Sequence, residues 1–474
     1  MQIRRTEGVK KQMNEKTKSI CPVCHKTISA VRLRKGNKIY LHKECDRHGK
    51  FEALLWDESS KITGENRLDE IVDPGSGELL EWQHWKNEGV NTVPTVFDTK
   101  SSEGCPHDCG LCEKHEQQAC CVLIEITQNC DQNCNYCFAS AHSSKGKTQD
   151  LSLGEIKEMY ESLLAKNTGR AFNIQLSGGE PTLRDDLSEI IQMGKEYGFP
   201  YIQVNTNGRR LAKDPSYAKK LHEAGLSSVF LQFDGTEEAI YENIRGKALL
   251  SLKEMAIKNC ADAELGIVLV VTVVPGVNDH NLGDILRFGI EQLPYVRGIH
   301  FQPVSYFGRF PHQPLDADRI TIPELIGKLV VQSDNKLRID QFVPLETGHP
   351  MCSFHGNFLI MDDGSLISLA SDPQKCGCGY NEDSIEKARN YIAKKWTYKL
   401  KRISEAVSKD YDFSSWDHLL AKIHSHGFSI TAMAFQDAWN LDLDRLQKCR
   451  TQVATKENKL IPFCAYNILH RPTN

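Results

Sequence analysis

Three cysteines on one short loop constrain this chain more than any other feature of its sequence. Cys130, Cys134 and Cys137 have the spacing C-x3-C-x2-C, and they follow directly on the apolar segment 122–127, which predicts a buried strand. Three thiolates on one tight turn can hold three corners of a four-iron cluster and leave its fourth iron without a protein ligand. An open iron can chelate a small molecule and pass it an electron. The loop therefore predicts a reactive iron–sulfur centre at the end of a strand.

The segment from 122 to 312 alternates between apolar runs and amphipathic stretches. The runs are rich in Val, Ile, Leu and Phe, as parallel strands covered on both faces should be. The predicted strands are 122–127, 172–176, 201–205, 228–233, 266–273 and 298–302. Ser152 and Glu155 form a capping box at the start of one predicted helix, and others begin near Asp185 and after Asp214. Six such units predict an α/β fold, an open partial (βα)6 barrel with its chemistry at the carboxyl ends of the strands.

A second motif, Gly178-Gly-Glu-Pro181, follows the second predicted strand. Together with the cysteine loop it resembles the radical SAM superfamily, whose members cleave S-adenosylmethionine to a 5′-deoxyadenosyl radical. The resemblance implies that Cys130, Cys134 and Cys137 hold the catalytic cluster and that Tyr136 packs against adenine. It assigns the methionine amino group to Gly178, Gly179, Glu180 and Pro181, and the ribose and substrate side to Asn205, Asn207, Gln232 and Asp234. The alternative for these last four residues is an ordinary polar turn at a strand end.

The chain has 17 cysteines, which in a reducing compartment are more often metal ligands than disulfides. Cys21 and Cys24 begin a small ribbon that Cys45 and His48 end, a spacing that suits a tetrahedral metal site. The fourth ligand is either His48 or a cysteine from elsewhere. Cys121 and Cys260 lie in apolar surroundings and are interpreted as buried small hydrophobes.

The order of cysteine motifs along nearly the whole chain resembles one subfamily in particular. That subfamily includes the archaeal tetraether lipid synthase and the methanopterin-biosynthesis radical SAM methylase. It implies one or two auxiliary four-iron clusters and a rubredoxin-like mononuclear iron, so the ribbon metal is iron or zinc. The implied ligands are Cys105, Cys109, Cys112 and Cys120 for one cluster, and Cys352, Cys449 and Cys464 with Cys376 or Cys378 for the other. The predicted domains are 1–56 (metal ribbon), 57–121 (linker and auxiliary loop), 122–312 (partial barrel) and 313–474 (auxiliary-cluster region with a helical segment over 384–446).

Two reactions suit this subfamily, and the sequence does not separate them. Carbon–carbon coupling of lipid chains, after hydrogen abstraction from an unactivated carbon, is the favoured prediction. The alternative is C-methylation of a pterin or similar small molecule. A lipid substrate requires a long apolar tunnel, whereas a pterin requires paired polar groups and stacking aromatic rings. An iron–sulfur electron carrier is a further alternative, which the Gly178-Gly-Glu-Pro181 motif disfavours because a carrier needs no S-adenosylmethionine site.

Composition limits the partners of the chain. The net charge of −4 gives no reason to expect nucleic acid. No apolar run approaches the roughly 18 residues of a membrane span, and the first residues lack a secretory signal, so we expect a cytoplasmic protein. The expected partners are a small-molecule or lipid substrate and an electron donor of the ferredoxin or flavodoxin type. Peripheral membrane contact is an open possibility for one basic stretch, although a solvated helix face is the simpler interpretation. This basic stretch comprises Lys387, Arg389, Lys394, Lys395, Lys399, Lys401 and Arg402.

Overall fold

The structure, a computed structural model, shows two β-sheets with helices packed on the larger one. The described residues are 14–58, 102–110, 112–141, 150–167, 171–334, 336–344, 349–369, 396–397, 422 and 425–471. Cys376, Cys378 and the basic stretch lie outside these residues, so the predictions made for them stay predictions.

The first sheet is the predicted ribbon. Its antiparallel strands follow one another in the order β1-β2-β3-β4. They are β1 (Asn14–Ile20), β2 (Thr27–Lys35), β3 (Lys38–Cys45) and β4 (Gly49–Asp57). Ile20, Ile39, Leu41 and Trp56 are fully buried and give the ribbon an apolar interior. The expected metal ribbon at the amino end of the chain is therefore a folded element with its own sheet.

The second sheet contains the predicted barrel strands as parallel neighbours. They are β5 (Cys121–Thr127), β6 (Asn173–Gly178), β7 (Ile202–Thr206), β8 (Ser228–Gln232), β9 (Gly266–Val273) and β10 (Val296–Pro303). Each begins and ends within two residues of its prediction. The α/β partial barrel is confirmed, and its strands all direct their carboxyl ends to the same edge.

Helices cover the outer face of this sheet. They are α1 (Leu153–Lys166), α2 (Leu187–Glu196), α3 (Arg209–Lys213), α4 (Pro215–Glu223), α5 (Glu238–Arg245), α6 (Leu250–Asp262), α7 (Leu282–Glu291) and α8 (Ile322–Gln332). The capping box of α1 is present, with Ser152 and Glu155 each hydrogen-bonded to the backbone of the other. Met159, Tyr160 and Leu163 of α1 are buried against the sheet, as the helical periodicity predicts.

Strands from the end of the chain extend the barrel sheet at both edges. They are β11 (Ser353–Ile360), β12 (Leu366–Ser368), β13 (Gly427–Met433), β14 (Thr451–Ala454) and β15 (Leu460–Pro462). β13 runs parallel to β10, and β14 runs parallel to β5. The predicted helical segment is therefore wrong at 427–433. Phe428, Ile430 and Ala432 alternate with Ser429 and Thr431 there, and this period of two forms a strand.

The ribbon is attached to the barrel by buried polar contacts with residues 438–444. Arg32 donates to Asp442 at 2.6 Å and to Asp444 at 2.9 Å. The buried Lys43 ammonium donates to the carbonyl of Ala438 at 2.8 Å. These contacts fix the ribbon beside helix α9 (Leu443–Gln447), which leads into Cys449.

None of the helices in the described residues is long and apolar enough to cross a membrane.

Replacing Arg32 should detach the ribbon, because it leaves the Asp442 carboxylate buried without its cation. We expect Arg32→Ala to lower the free energy of unfolding by about 3 to 5 kcal/mol, measured by urea denaturation. Lys35→Ala is the matched control. Its partner Glu52 and Lys35 itself are 34% and 54% exposed, so the loss should stay below about 1 kcal/mol. Equal losses in the two variants would show that the Arg32 pair does not hold the ribbon.

Candidate active site and metal centres

The loop that carries Cys130, Cys134 and Cys137 is held from the opposite side of the barrel. The backbone N–H groups of Cys137 and Arg309 each donate to the carbonyl of the other at 2.9 Å. The Arg309 guanidinium also donates to the carbonyl of Cys134 at 2.6 Å. The N–H of Asn135 donates to the carbonyl of Ile244 at the end of α5. These contacts hold the loop through its backbone groups rather than through the three thiols.

The Gly178-Gly179 turn packs directly against the residues that lead into this loop. The N–H of Gly179 donates to the Thr127 carbonyl at 2.8 Å, and the N–H of Glu180 donates to the Asn129 carbonyl at 2.7 Å. A Cβ on Gly178 would lie 2.1 Å from the Thr127 oxygen, and one on Gly179 would lie 2.2 Å from the Asn129 oxygen. Only glycine permits this approach, which fixes the position of Cys130.

Glu180 ties the end of β6 to the end of β7. Its carboxylate accepts hydrogen bonds from the hydroxyls of Thr182 and Thr206 and from the N–H of Asn207. Burial raises the pKa of this carboxyl group. Pro181 opens a 3₁₀ turn over Pro181–Leu183, and it does not line the cavity described below. The predicted contact of these residues with a bound amino group stays a prediction.

A buried ion pair lies beneath the cysteine loop. Arg245 donates from Nε and Nη2 to both oxygens of Asp234 at 2.7 Å, and from Nη1 to the carbonyl of Tyr136 at 3.0 Å. The guanidinium also contacts the Cys134 thiol. Asp234 is therefore enclosed by Arg245 and does not line the cavity, contrary to its predicted place on the substrate side. Sequence reasoning missed Arg245, whose only signal is its place before Gly246 at the end of a helix.

Lys253 joins the two strand-end motifs. Its buried ammonium donates to the carbonyl of Asn207 at 2.6 Å and to Oε1 of Gln232 at 3.1 Å. Burial lowers the pKa of Lys253 to about 8. The carboxyl ends of β7 and β8 are thus joined by hydrogen bonds from a lysine that lies outside the sequence motifs.

These residues surround one central cavity of about 410 Å³. The predicted site residues that line it are Cys130, Cys134, Tyr136, Cys137, Gly178, Gly179, Glu180, Asn205, Asn207 and Gln232. Burial raises the pKa of Cys130 to about 12, so metal binding must displace a firmly held proton. Three convergent thiols beside a polar strand edge have the donor chemistry that a four-iron cluster and a bound nucleotide require. The side chains present therefore fit this pair of cofactors.

Amide side chains also line the cavity, beside apolar ones such as Val270. The amides include Gln175, Gln203, Gln302 and Asn357. Three aromatic rings lie on the wall formed by β8 and β10. Phe230 is 6.0 Å from the ring of His300 and 5.0 Å from the ring of Trp396, and burial lowers the pKa of His300 to about 4. The cavity thus combines neutral polar groups with aromatic faces.

Two further groups of cysteines lie near this cavity. Cys352, Cys449 and Cys464 line it directly. Burial raises the pKa of Cys449 to about 12, and the neighbouring Cys352 thiol adds to the effect. A separate small pocket is lined by Cys105, Cys109, Cys112 and His115. Three of the expected thiols thus line one pocket in each group, Cys105, Cys109 and Cys112 in one and Cys352, Cys449 and Cys464 in the other.

Cys120 departs from its predicted place. It lines the central cavity with Cys121 and is absent from the pocket of the 105–112 group, where His115 stands instead. The cause is strand pairing, because the N–H of Cys120 donates to the carbonyl of Arg450 beside β14 at 2.9 Å. His115 is itself engaged, since its Nε2 donates to the Cys449 carbonyl at 2.8 Å. Cys260 is fully buried as predicted, whereas Cys121 faces the cavity.

The ribbon contains a compact metal-binding group. Ligand atoms of Cys21, Cys24, Cys45 and His48 all lie within 4.8 Å of one another. Nδ1 of His48 is 3.4 Å from the Cys21 thiol and 3.5 Å from the Cys45 thiol. Of the two alternatives for the fourth ligand, the structure thus favours His48, which completes a Cys3His set of the kind that binds zinc.

Comparison with known proteins agrees with these features. Residues 124–289 match the model of the radical SAM superfamily, and residues 13–57 match that of the HMPTM N-terminal zinc ribbon domain. The chain is 35% identical, over 97% of its own length and 94% of the relative, to the 7,8-dihydro-6-hydroxymethylpterin dimethyltransferase of Methanocaldococcus jannaschii. The chain therefore belongs to the radical SAM superfamily and, within it, to the family of that dimethyltransferase.

More distant proteins share parts of the chain. The GTP 3′,8-cyclase of Marinobacter nauticus is 29% identical over 39% of this chain and 54% of its own. The structure of Streptococcus suis SuiB bound to S-adenosylmethionine is 12% identical, with a TM-score of 0.36, over 42% of this chain and 44% of that one. The predicted superfamily and its enzymatic character are thus confirmed by the family match rather than by these weaker similarities.

Gly179→Ala should displace the cysteine loop, because its Cβ would collide with the Asn129 carbonyl. We expect the reconstituted variant to bind less iron and to cleave S-adenosylmethionine about 100-fold more slowly, as about 1 Å of misplacement can cause. The measurements are iron and sulfide content and 5′-deoxyadenosine release. Gly154→Ala is the control, since the nearest atom to its Cβ would be Ser152 Oγ at 3.9 Å. Wild-type iron content in Gly179→Ala would contradict this account.

Cys24→Ala should remove one ligand of the ribbon metal. We expect zinc content to fall from about one per chain and residues 14–57 to become sensitive to proteolysis, because structural zinc contributes directly to folding. Elemental analysis and limited proteolysis measure the two effects. Cys260→Ala, which changes a cysteine in the barrel core, should retain the metal. A ribbon that keeps its zinc without Cys24 would rule out the four-ligand site.

Proposed function

We propose that this protein is a radical SAM C-methylase that acts on a pterin or a closely related heteroaromatic compound. The observation that carries the proposal is the lining of the cavity, where amide side chains face aromatic rings. The family relationship supports it, since the relative that matches over nearly the whole chain is named for dimethylation of a hydroxymethylpterin. This interpretation replaces lipid coupling, the favoured sequence prediction, because the relative that matches nearly the whole chain is a pterin methyltransferase by name.

The amide groups of the cavity distinguish the two substrates physically. The oxygens of Gln175, Gln203 and Asn357 already accept hydrogen bonds from within the chain. A lipid chain cannot hydrogen-bond, so it would leave any amide N–H that faces the cavity without a partner. Each such loss costs about 1 to 3 kcal/mol. A pterin ring presents donors and acceptors around its whole edge and an aromatic face to Phe230 and His300. The same side chains therefore favour the heteroaromatic substrate and disfavour the lipid.

Each part of the chain would have a definite role in this reaction. A four-iron cluster with S-adenosylmethionine supplies, when bound, reductive cleavage to methionine and a 5′-deoxyadenosyl radical. Cys130, Cys134 and Cys137 would hold the cluster, and the Arg245–Asp234 ion pair would hold the loop around Cys134. Asn205 and Asn207 would orient the nucleotide. The enclosed cavity would exclude water from the radical, which protects it from side reactions.

The remaining cysteines support proposals of their own. We assign one auxiliary cluster to Cys105, Cys109 and Cys112 and another to Cys352, Cys449 and Cys464. The thiols of each group line one pocket, and Cys109, Cys112 and Cys464 are buried, which suits thiolate ligands of iron–sulfur clusters. Zinc has no redox chemistry, so a zinc ribbon would be structural. Electrons from a ferredoxin or flavodoxin would then reach the catalytic cluster through the auxiliary clusters or directly.

The proposal is tested by incubating the anaerobically reconstituted protein with dithionite, an excess of S-adenosylmethionine and a 6-hydroxymethyl-7,8-dihydropterin deuterated at its ring and side-chain carbons. One S-adenosylmethionine is the source of the radical, and a second serves as the methyl donor, because the first leaves its methyl group on methionine. We expect the pterin to gain methyl groups by mass spectrometry and 5′-deoxyadenosine to form. Cys134→Ala should abolish both products, because the cluster loses a ligand, whereas Cys260→Ala should keep both. Coupling of added isoprenoid lipids, with no change in the pterin, would reject the methylase assignment.

A further inference from the structure

Arg450 stands apart from the catalytic cysteines, at the amino ends of the barrel strands. It precedes β14, and its side chain is 8% exposed and lines the central cavity. Its guanidinium contacts the thiol of Cys120. The seven residues of β5 separate Cys120 from the cysteine loop, a distance of about 20 Å at about 3.3 Å per residue. Arg450 therefore belongs to the end of the cavity that lies farthest from the predicted S-adenosylmethionine site.

Two other buried arginines show how a guanidinium fork is satisfied in this fold. Arg184 uses Nε and Nη2 to hold both oxygens of Asp186, at 2.8 and 2.6 Å. Arg245 uses the same two nitrogens to hold Asp234. These nitrogens form a planar fork that matches a pair of acceptor atoms.

Arg450 presents the same fork without a partner. Among the described residues, neither its Nε nor its Nη2 has a hydrogen-bond partner, and both atoms are buried. No carboxylate in this part of the chain forms an ion pair with it. A buried guanidinium edge without acceptors is costly, because it loses its hydration and gains no hydrogen bond in exchange. An arrangement this costly is expected where a ligand completes the hydrogen bonds.

The surroundings define the shape and chemistry of that ligand. Gln203 donates to Oε1 of Gln175 at 2.5 Å, and the Tyr201 hydroxyl donates to Oε1 of Gln203 at 2.9 Å. These side chains are thereby fixed as a polar floor of the cavity. The rings of Phe230 and His300 form a wall above it. The occupant is therefore a flat ring with hydrogen-bonding edges.

We propose that the Nε–Nη2 fork of Arg450 donates to the 4-oxo oxygen and to N5 of the pterin substrate, the two acceptors on one edge of the ring. Arginine reads guanine in the same way, through O6 and N7. This inference rests on the proposed function and makes Arg450 the specificity residue of that site. The competing role, in which Arg450 offsets the charge of a cluster held by the neighbouring Cys449, predicts a different result in the experiment below.

The test compares the anaerobic dissociation constants of two ligands, measured by pterin fluorescence. One is 6-hydroxymethyl-7,8-dihydropterin, and the other is the same compound without its 4-oxo group. We expect the wild type to prefer the oxo compound by about 10- to 100-fold, the usual worth of a bidentate arginine contact. Arg450→Lys keeps the charge but lacks the fork, so it should lose most of this preference and keep its iron and sulfide.

Arg338→Lys is the control, because Arg338 pairs with Asp340 on the surface with its side chain 59% exposed. It should bind both ligands as the wild type does. A full preference for the oxo compound in Arg450→Lys would overturn the inference, and so would loss of iron and sulfide in Arg450→Ala, which would assign Arg450 to the cluster. Failure of the wild type to bind either pterin would instead reject the proposed function itself.

Discussion

The close approach of the Gly178-Gly179 turn to the backbone of Thr127 and Asn129 is the constraint on which the site depends. It sets the end of β6 against the end of β5, and so determines where Cys130 begins its loop. From the same turn, Glu180 reaches across to the N–H of Asn207 and fixes the end of β7. Three strand ends are thus aligned by contacts within the chain. The glycines act first on the backbone, and any contact with a cofactor depends on that alignment.

The last part of the chain contributes as much to the cavity as the barrel strands do. β13 continues the sheet beyond β10, and β14 continues it beyond β5, so residues distant in sequence close the two open edges of the partial barrel. Cys352 lies directly before β11, Cys449 lies two residues before β14, and Cys464 lies two residues after β15. Edge pairing therefore explains why a second group of thiols faces the same cavity as Cys130. The predicted domain boundary at residue 313 marks a change in the sequence pattern, whereas the larger sheet includes strands from both sides of that boundary.

Part of the fold and part of the candidate site could be predicted from the sequence, and the reasons differ from residue to residue. The six barrel strands are apolar on both faces, so each is visible as a local run, and the cysteine loop is visible by its spacing. The place of Cys120 is not local, because it depends on the pairing of β5 with β14. The enclosure of Asp234 likewise depends on Arg245 folding back from the end of α5. The proposed substrate class could not be predicted from the sequence, because it depends on which side chains of each strand face the cavity. Gln175 and Gln203 are two that do.

Of the three arginines among the described residues that line the cavity, Arg245 and Arg450 show how its two ends differ in charge. Arg245 is neutralised by Asp234, so it adds a fixed dipole beside Cys134 without adding net charge. Such a pair is complete before any ligand binds, and it stabilises the loop and tunes the thiols. Arg450 has a thiol beside it and no carboxylate among the described residues, so its positive edge is complete only with an added acceptor. An arginine whose hydrogen bonds are complete, such as Arg245, positions the protein's own groups. An arginine whose donors lack acceptors, such as Arg450, is suited to recognising a substrate, and the two lie at opposite ends of the cavity.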